Sequence, residues 1–167
     1  DSPLAIKLTE VYKRHSREFK EHADFSFPGL KMTLATEESK RINDVPPPKM
    51  IIAGSGMSHG GRILHHEMRY LPDPKSTLVI VGYQAQGSLG RLLLDGASMV
   101  KIYGEQIPVR CKIKAIGAYS AHADQAQLLA WATPMRTTLK KAFIVQGEEK
   151  ASEALAAKIN DTLAVHT

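Results

Sequence analysis

Between residues 49 and 96 the chain alternates short, unbroken apolar runs with segments of helical periodicity. "KMIIAG" (49–54) precedes "GRILHHEMRYL", and "STLVIVGY" (76–83) precedes "SLGRLLLDG" (88–96). A continuous apolar run of this length marks a strand buried on both faces. Strand, helix, strand, helix is the order of a parallel sheet covered by helices. The predicted architecture is therefore α/β, a mostly parallel sheet flanked by helices.

The flanking segments fit the same rhythm. Residues 3–20 place Leu4, Ala5, Leu8, Val11, Tyr12 and Phe19 at helical spacing, with Ser2 as N-cap and Pro3 at the first helical position. "FPGLKMTLA" (27–35) reads as a strand entered through a Pro-Gly turn. Thr36 is expected to cap "EESKRIND", and "VPPP" (45–48) stops that helix. Around "GEQIP", the stretch 98–116 alternates twice, which suggests an antiparallel excursion. A helix over "SAHADQAQLLAWA", a strand over 141–147 and a helix over "EKASEALAAKINDTLA" complete the pattern. The change of style near residue 100 is the expected domain boundary.

Composition excludes several classes. The 167 residues are 43% hydrophobic and 23% charged, too apolar for disorder and long enough for one well-cored domain. A net charge of +5 permits an anionic partner such as nucleic acid without requiring one. The single cysteine, Cys111, rules out an internal disulfide and points to a reducing, cytoplasmic setting. No apolar run reaches the 18 residues that a membrane span needs, and no membrane partner is expected. The opening "DSPLAIKLTE" lacks an initiator Met, so the chain reads as a cut-out or processed piece.

Chemistry concentrates in the turns that follow the apolar runs, where open α/β sheets bind ligands against helix N-termini. "GSGMSHGG" occupies such a turn, and its glycines let backbone N–H groups face an anion. It is neither a Walker A loop nor a dinucleotide fingerprint, so a tight turn without ligand stays open beside a phosphate-binding loop. Its histidines fit a metal site poorly: His65 and His66 are adjacent on a helix and diverge by roughly 100°, and His59 lies in the loop. "GYQAQGSLGR" (82–91) repeats the strand, turn, helix theme, and two such turns in succession on one sheet edge can form a groove rim. In "GAYSAHADQ" (117–125), Ser120 and Asp124 flank His122 where a helix begins. An imidazole held there can contact a phosphate or donate a proton near neutral pH. The next run ends in Gln146-Gly147-Glu148.

Taken in order, "DSPLA", "SGMSHGGRILHH", "VGYQAQGSLGR", "GEQIPVRCKIKAIGAYSAHAD" and "VQGEE" resemble the β-CASP branch of the metallo-β-lactamase superfamily, which holds RNA and DNA nucleases. The resemblance covers nearly the whole chain. It implies that residues 1–102 are most of the β-CASP cap domain, and that 103–167 are the returning C-terminal segment of the metallo-β-lactamase αββα sandwich. It also implies a two-zinc centre that activates water for phosphodiester hydrolysis, under a cleft for single-stranded RNA or DNA.

Carried over residue by residue, the resemblance makes His122 the family's motif B histidine, a proton donor or phosphate contact, with Ser120 beside it. Ser55, Gly56, Gly60, Gly61 and Gln84 become the cap-domain residues that meet an RNA phosphate. Gln146 stands where the family usually has a zinc-ligating histidine, and a neutral carboxamide is a much poorer ligand. The family's H-x-H-x-D-H cluster does not occur in the chain. The expected function is thus a C-terminal fragment of a zinc-dependent RNase that binds no zinc alone and needs the missing N-terminal half as partner. Unpaired sheet edges make a homodimer possible. A stand-alone nucleic-acid or phosphate-binding module is the other reading.

Overall fold

The computed structural model describes residues 1–15, 27–117, 119 and 122–167. It divides into two compact units, Asp1–Ser120 and Ala121–Thr167. The first opens with α1 (Pro3–His15). Its start is held by Ser2, whose carbonyl accepts from Ile6 N–H at 3.0 Å. Ile6 is buried, while Leu4, Leu8 and Val11 are exposed. The part of the expected helix beyond His15 lies outside the described residues, as does Phe19.

Residues 27–35 do not form the expected strand. The Pro28-Gly29 turn is present, with Gly29 at φ +89° and Leu30 N–H donating to Phe27 O at 3.1 Å. Beyond it the backbone runs without a strand partner. The carbonyls of Thr33 and Leu34 accept instead from the Arg62 guanidinium, at 2.9 and 2.7 Å. Then follow α2 (Thr36–Arg41) and one 3₁₀ turn, Ile42–Asp44. Thr36 is the first helical residue rather than the cap. Ala35 holds the cap position, and Glu38 does the capping: its carboxylate accepts from Leu34 and Ala35 N–H at 2.8 and 2.9 Å.

Residues 49–54 also correct the sequence reading. They are not a ladder strand, and Met50 and Ile52 are 88% and 68% exposed. No strand among the described residues lies alongside to cover both faces. The segment is held at points only: Ile52 O accepts from the backbone nitrogen of Asp1 at 2.6 Å. Lys49 donates to Ile42 O and Val45 O, each at 2.8 Å.

The predicted helices and the second strand do form. After α3 (Ile63–Tyr70) come β1 (Thr77–Val81) and α4 (Leu89–Leu94). Ser88 caps α4 by accepting from Arg91 N–H at 3.1 Å, and Gly96 at φ +88° follows its end. The antiparallel excursion is a tight hairpin, β2 (Met99–Ile102) and β3 (Glu105–Pro108), in register Ile102↔Glu105. The apolar run after it, β4 (Lys112–Ile116), leaves the hairpin and pairs in parallel with β1. The observed class is α/β, with a two-stranded parallel sheet against helices. Strand β1 is buried on one face only. Ile80 points into a core with Leu64, Leu71, Leu93, Val100, Ile102 and Ile107, whereas Val79 and Val81 are exposed.

In the second unit, α5 spans Gln125–Ala132, one 3₁₀ turn follows at Thr133–Met135, and α6 spans Glu149–Leu163. Helix α5 starts later than the sequence implied. Asp124 is its cap, accepting from Gln127 N–H at 2.8 Å while Gln127 Oε1 accepts from Asp124 N–H at 2.9 Å. The expected strand 141–147 is reduced to a single parallel bridge, Lys141↔His166. With one bridge as partner, the alternation survives only as burial. Ala142 and Ile144 pack on Ala132, Ile159, Leu163 and Val165, and Phe143 and Val145 point outward.

Candidate functional site

The glycine-rich turn between residue 54 and α3 is closed on itself. Ser55 N–H donates to Gly60 O at 3.0 Å, and Ile63 N–H donates to Gly54 O at 3.2 Å. Ser55 Oγ donates to Gly60 O at 3.2 Å and accepts from His59 N–H at 3.1 Å. Gly61 has φ +80°, and a Cβ there would sit 2.5 Å from Gly54 O. Only glycine lets the two ends of the loop approach this closely. At Gly56 and Gly60, by contrast, a Cβ would meet nothing within 4 Å. The loop is therefore tight at its neck and open over Gly56 and Gly60.

Gln84 supports this loop from the next turn. Its side chain is buried, and its Nε2 donates to Gly56 O and Tyr83 O, both at 2.9 Å. Gly90 of α4 lies against it, so a Cβ at Gly90 would collide with Gln84 Oε1. Gly90 N–H also donates to Met57 O at 3.3 Å. The two glycine-containing turns predicted to form one rim are thus joined by hydrogen bonds, with Gln84 as the strut. These bonds commit the amide nitrogen of Gln84, a residue expected from the sequence to meet a phosphate, to the loop backbone.

A second cluster escaped sequence reasoning. The Asp1 carboxylate is 1% exposed and binds side chains from well-separated segments. Its Oδ1 accepts from Thr33 Oγ1 at 2.8 Å and Arg62 at 2.7 Å, and its Oδ2 accepts from Ser39 Oγ at 2.6 Å. His66 Nε2 lies 2.8 Å from Oδ2. Arg62 directly follows the neck residue Gly61, so the cluster anchors the loop where it enters α3. Burial above all, with the nearby His65, Lys49 and Arg62 adding to it, holds His66 below its ordinary value. The neutral Nε2–H tautomer suffices for the bond to Asp1. Arg62 and His66 share a helical face at i,i+4 spacing, but nothing local in the sequence points from them to Asp1.

The buried Glu67 sits one residue on. One carboxyl oxygen accepts from Ser58 Oγ, and the other is buried without a hydrogen-bond partner. Burial pushes this carboxyl above the ordinary carboxylate range, opposed in part by the Ser58 bond. The three histidines of the segment thus go three ways. His59 stays at the loop surface, His66 binds Asp1, and His65 lies against Tyr103 with ring centroids 5.2 Å apart. Among the described residues, no group of three or more His, Cys, Asp or Glu side chains is arranged to hold a metal ion.

His122 and Gln146 belong to the second unit. His122 is exposed, two residues before the Asp124 cap. Gln146 is exposed and has φ +61°. Gly147 beside it packs against Ser152 on the first turn of α6, where a Cβ would collide with the hydroxyl. Ser120 lies outside the described residues. No helix among the described residues is long and apolar enough to cross a membrane.

Matches to known families divide the chain at a different place from its two compact units. Residues 1–93 match the Beta-Casp domain, and residues 106–167 match the Zn-dependent metallo-hydrolase RNA specificity domain. The chain is 39% identical over 164 residues to the ribonuclease TTHA0252 of Thermus thermophilus, covering 93% of this chain and 37% of that protein. It is 31% identical over 136 residues to the transcription termination factor FttA of Methanosarcina mazei, covering 78% of this chain and 21% of that protein. An RNase J-like protein of Methanocaldococcus jannaschii is 37% identical over 120 residues, covering 72% of this chain and 28% of that protein. The chain thus spans well under half the length of these relatives. With the first of the two domains matching more than half of its residues, the chain belongs to the β-CASP family.

Proposed function

We propose that this chain is the C-terminal portion of a zinc-dependent β-CASP nuclease that hydrolyses RNA phosphodiester bonds. The observation that carries this reading is the succession of two family matches along one chain, the second to an RNA specificity domain of metallo-hydrolases. In this reading residues 1–102 are the cap and 103–167 the returning segment of the metallo-β-lactamase domain. The open backbone over Gly56 and Gly60, with Ser55 beside it, contacts a phosphate of single-stranded RNA. Gln84 and Gly61 act through the loop, the one as strut and the other as neck. His122 serves the leaving-group oxygen as proton donor, and Ser120, two residues before it in the sequence, shares the phosphate contact.

Zinc would activate the attacking water in such a nuclease. The residues present do not fit a zinc site: no three suitable ligands converge among the described residues, and Gln146 offers only a neutral carboxamide. The ligands, in this proposal, come from the part of the protein outside these 167 residues. That part is the partner this segment needs, and a homodimer is the alternative covering for its exposed apolar residues.

The RNA-binding half of the proposal is tested on the chain alone. Single-stranded RNA is expected to bind weakly, with log affinity falling linearly against log salt by about 0.7 per phosphate neutralised. Affinity that is independent of salt would remove the phosphate-contact reading.

A further inference from the structure

The β2–β3 hairpin turns in two residues, Tyr103 and Gly104, since Ile102 pairs with Glu105. Both turn residues have positive φ, +49° and +88°. That is the geometry of a type I′ turn, whose favoured occupants are Asn-Gly and Gly-Gly. A tyrosine in the left-handed region carries backbone strain that asparagine or glycine would relieve. The strain brings little burial in return, because Tyr103 remains 59% exposed. Its ring lies against His65 on α3, at 5.2 Å between centroids and 33° between planes. His65 is itself exposed. A strained, exposed aromatic residue is the kind of outlier from which a functional role is inferred.

The surroundings specify what the ring can take. Arg69 lies one helical turn after His65, so the two share a face of α3, and Arg69 is exposed. Lys101 is exposed on β2, two residues before Tyr103; Glu105 is the acid at the turn. An exposed aromatic ring, with exposed cations on the helix face and the strand that lead to it, suits a nucleobase with its phosphates. Stacking of this kind is tolerant of sequence because every base has a π-face.

We propose that Tyr103, seated on His65, is a stacking platform for a base of single-stranded RNA. The proposal rests on the RNA reading above and adds a recognition element that the glycine loop does not supply.

The test compares the 167-residue chain with Tyr103→Asn and Tyr103→Phe. The readout is fluorescence anisotropy with a labelled oligouridylate of about ten nucleotides, with thermal melts in parallel. Tyr103→Asn is expected to bind about tenfold more weakly and to melt no lower than the parent, because the turn strain is relieved. Tyr103→Phe keeps the ring and is expected to keep the affinity. Equal binding by Tyr103→Asn and the parent overturns the platform while leaving the RNA reading intact. A Tyr103→Phe affinity as low as that of Tyr103→Asn assigns the effect to the hydroxyl and overturns stacking. A fall in both stability and affinity for Tyr103→Asn makes the ring a folding element and overturns the proposal. No binding by the parent removes the RNA reading of this chain itself, and the platform with it.

Discussion

At the scale of single residues, the glycine loop separates positions that need glycine from positions that merely have it. A Cβ at Gly61 meets Gly54 O at 2.5 Å and the residue has φ +80°. Gly61→Ala is therefore expected to cost about 1–3 kcal/mol. Gly56→Ala and Gly60→Ala, where the space is open, are expected to stay within about 1 kcal/mol. Urea unfolding of the three variants checks the difference. Glu67 gives a pH signature. Its folded pKa is raised by burial, so the folded state holds the proton more tightly than the unfolded state. The stability it contributes is present below the unfolded value near 4.5 and is lost as pH rises through the folded value. Relative to the parent, Glu67→Gln should gain stability steadily as pH is raised from acid to neutral. A difference between the two that does not change with pH would mean the carboxyl is not shifted. The glycine turn was legible in the sequence and the Asp1 cluster was not: it joins residues 1, 33, 39, 62 and 66, and no periodicity reports contacts at such separations.

At the scale of elements, helices were legible and lone extended segments were not. Helices α3, α4 and α6 form where periodicity placed them, because a helix satisfies its own backbone. Segments 27–35, 49–54 and 141–147 have the apolar content of strands but no ladder partner among the described residues. Apolar content reports that a face wants covering, whereas a strand also needs a neighbour for its N–H and C=O groups. The Arg62 guanidinium meets part of that need for Thr33 and Leu34. Capping was misread by one residue at α2, and the correction is testable. Thr36→Ala should change stability by less than about 0.5 kcal/mol. Glu38→Ala, which strips the acceptor from two backbone donors, should destabilise clearly more than Thr36→Ala. Equal effects in chemical denaturation would restore Thr36 as the cap.

At the scale of the whole molecule, the family and the α/β class were legible because several motif blocks occur in one order, which constrains far more than any single glycine turn. The groups that we propose to act on substrate are divided between the two units. The glycine loop and its strut Gln84 lie in Asp1–Ser120, and His122 and Gln146 lie in Ala121–Thr167. The metal ligands, in our proposal, lie in neither. In our proposal, this chain binds RNA but does not cleave it by itself. The most direct measurement is single-turnover cleavage of single-stranded RNA by the continuous protein that contains this segment, comparing the parent with His122→Ala at equal zinc content. The account expects the variant to lose about 10²–10⁴-fold in rate, as removal of a positioned proton donor does, with RNA affinity little changed. Turnover that is unchanged in His122→Ala would contradict it.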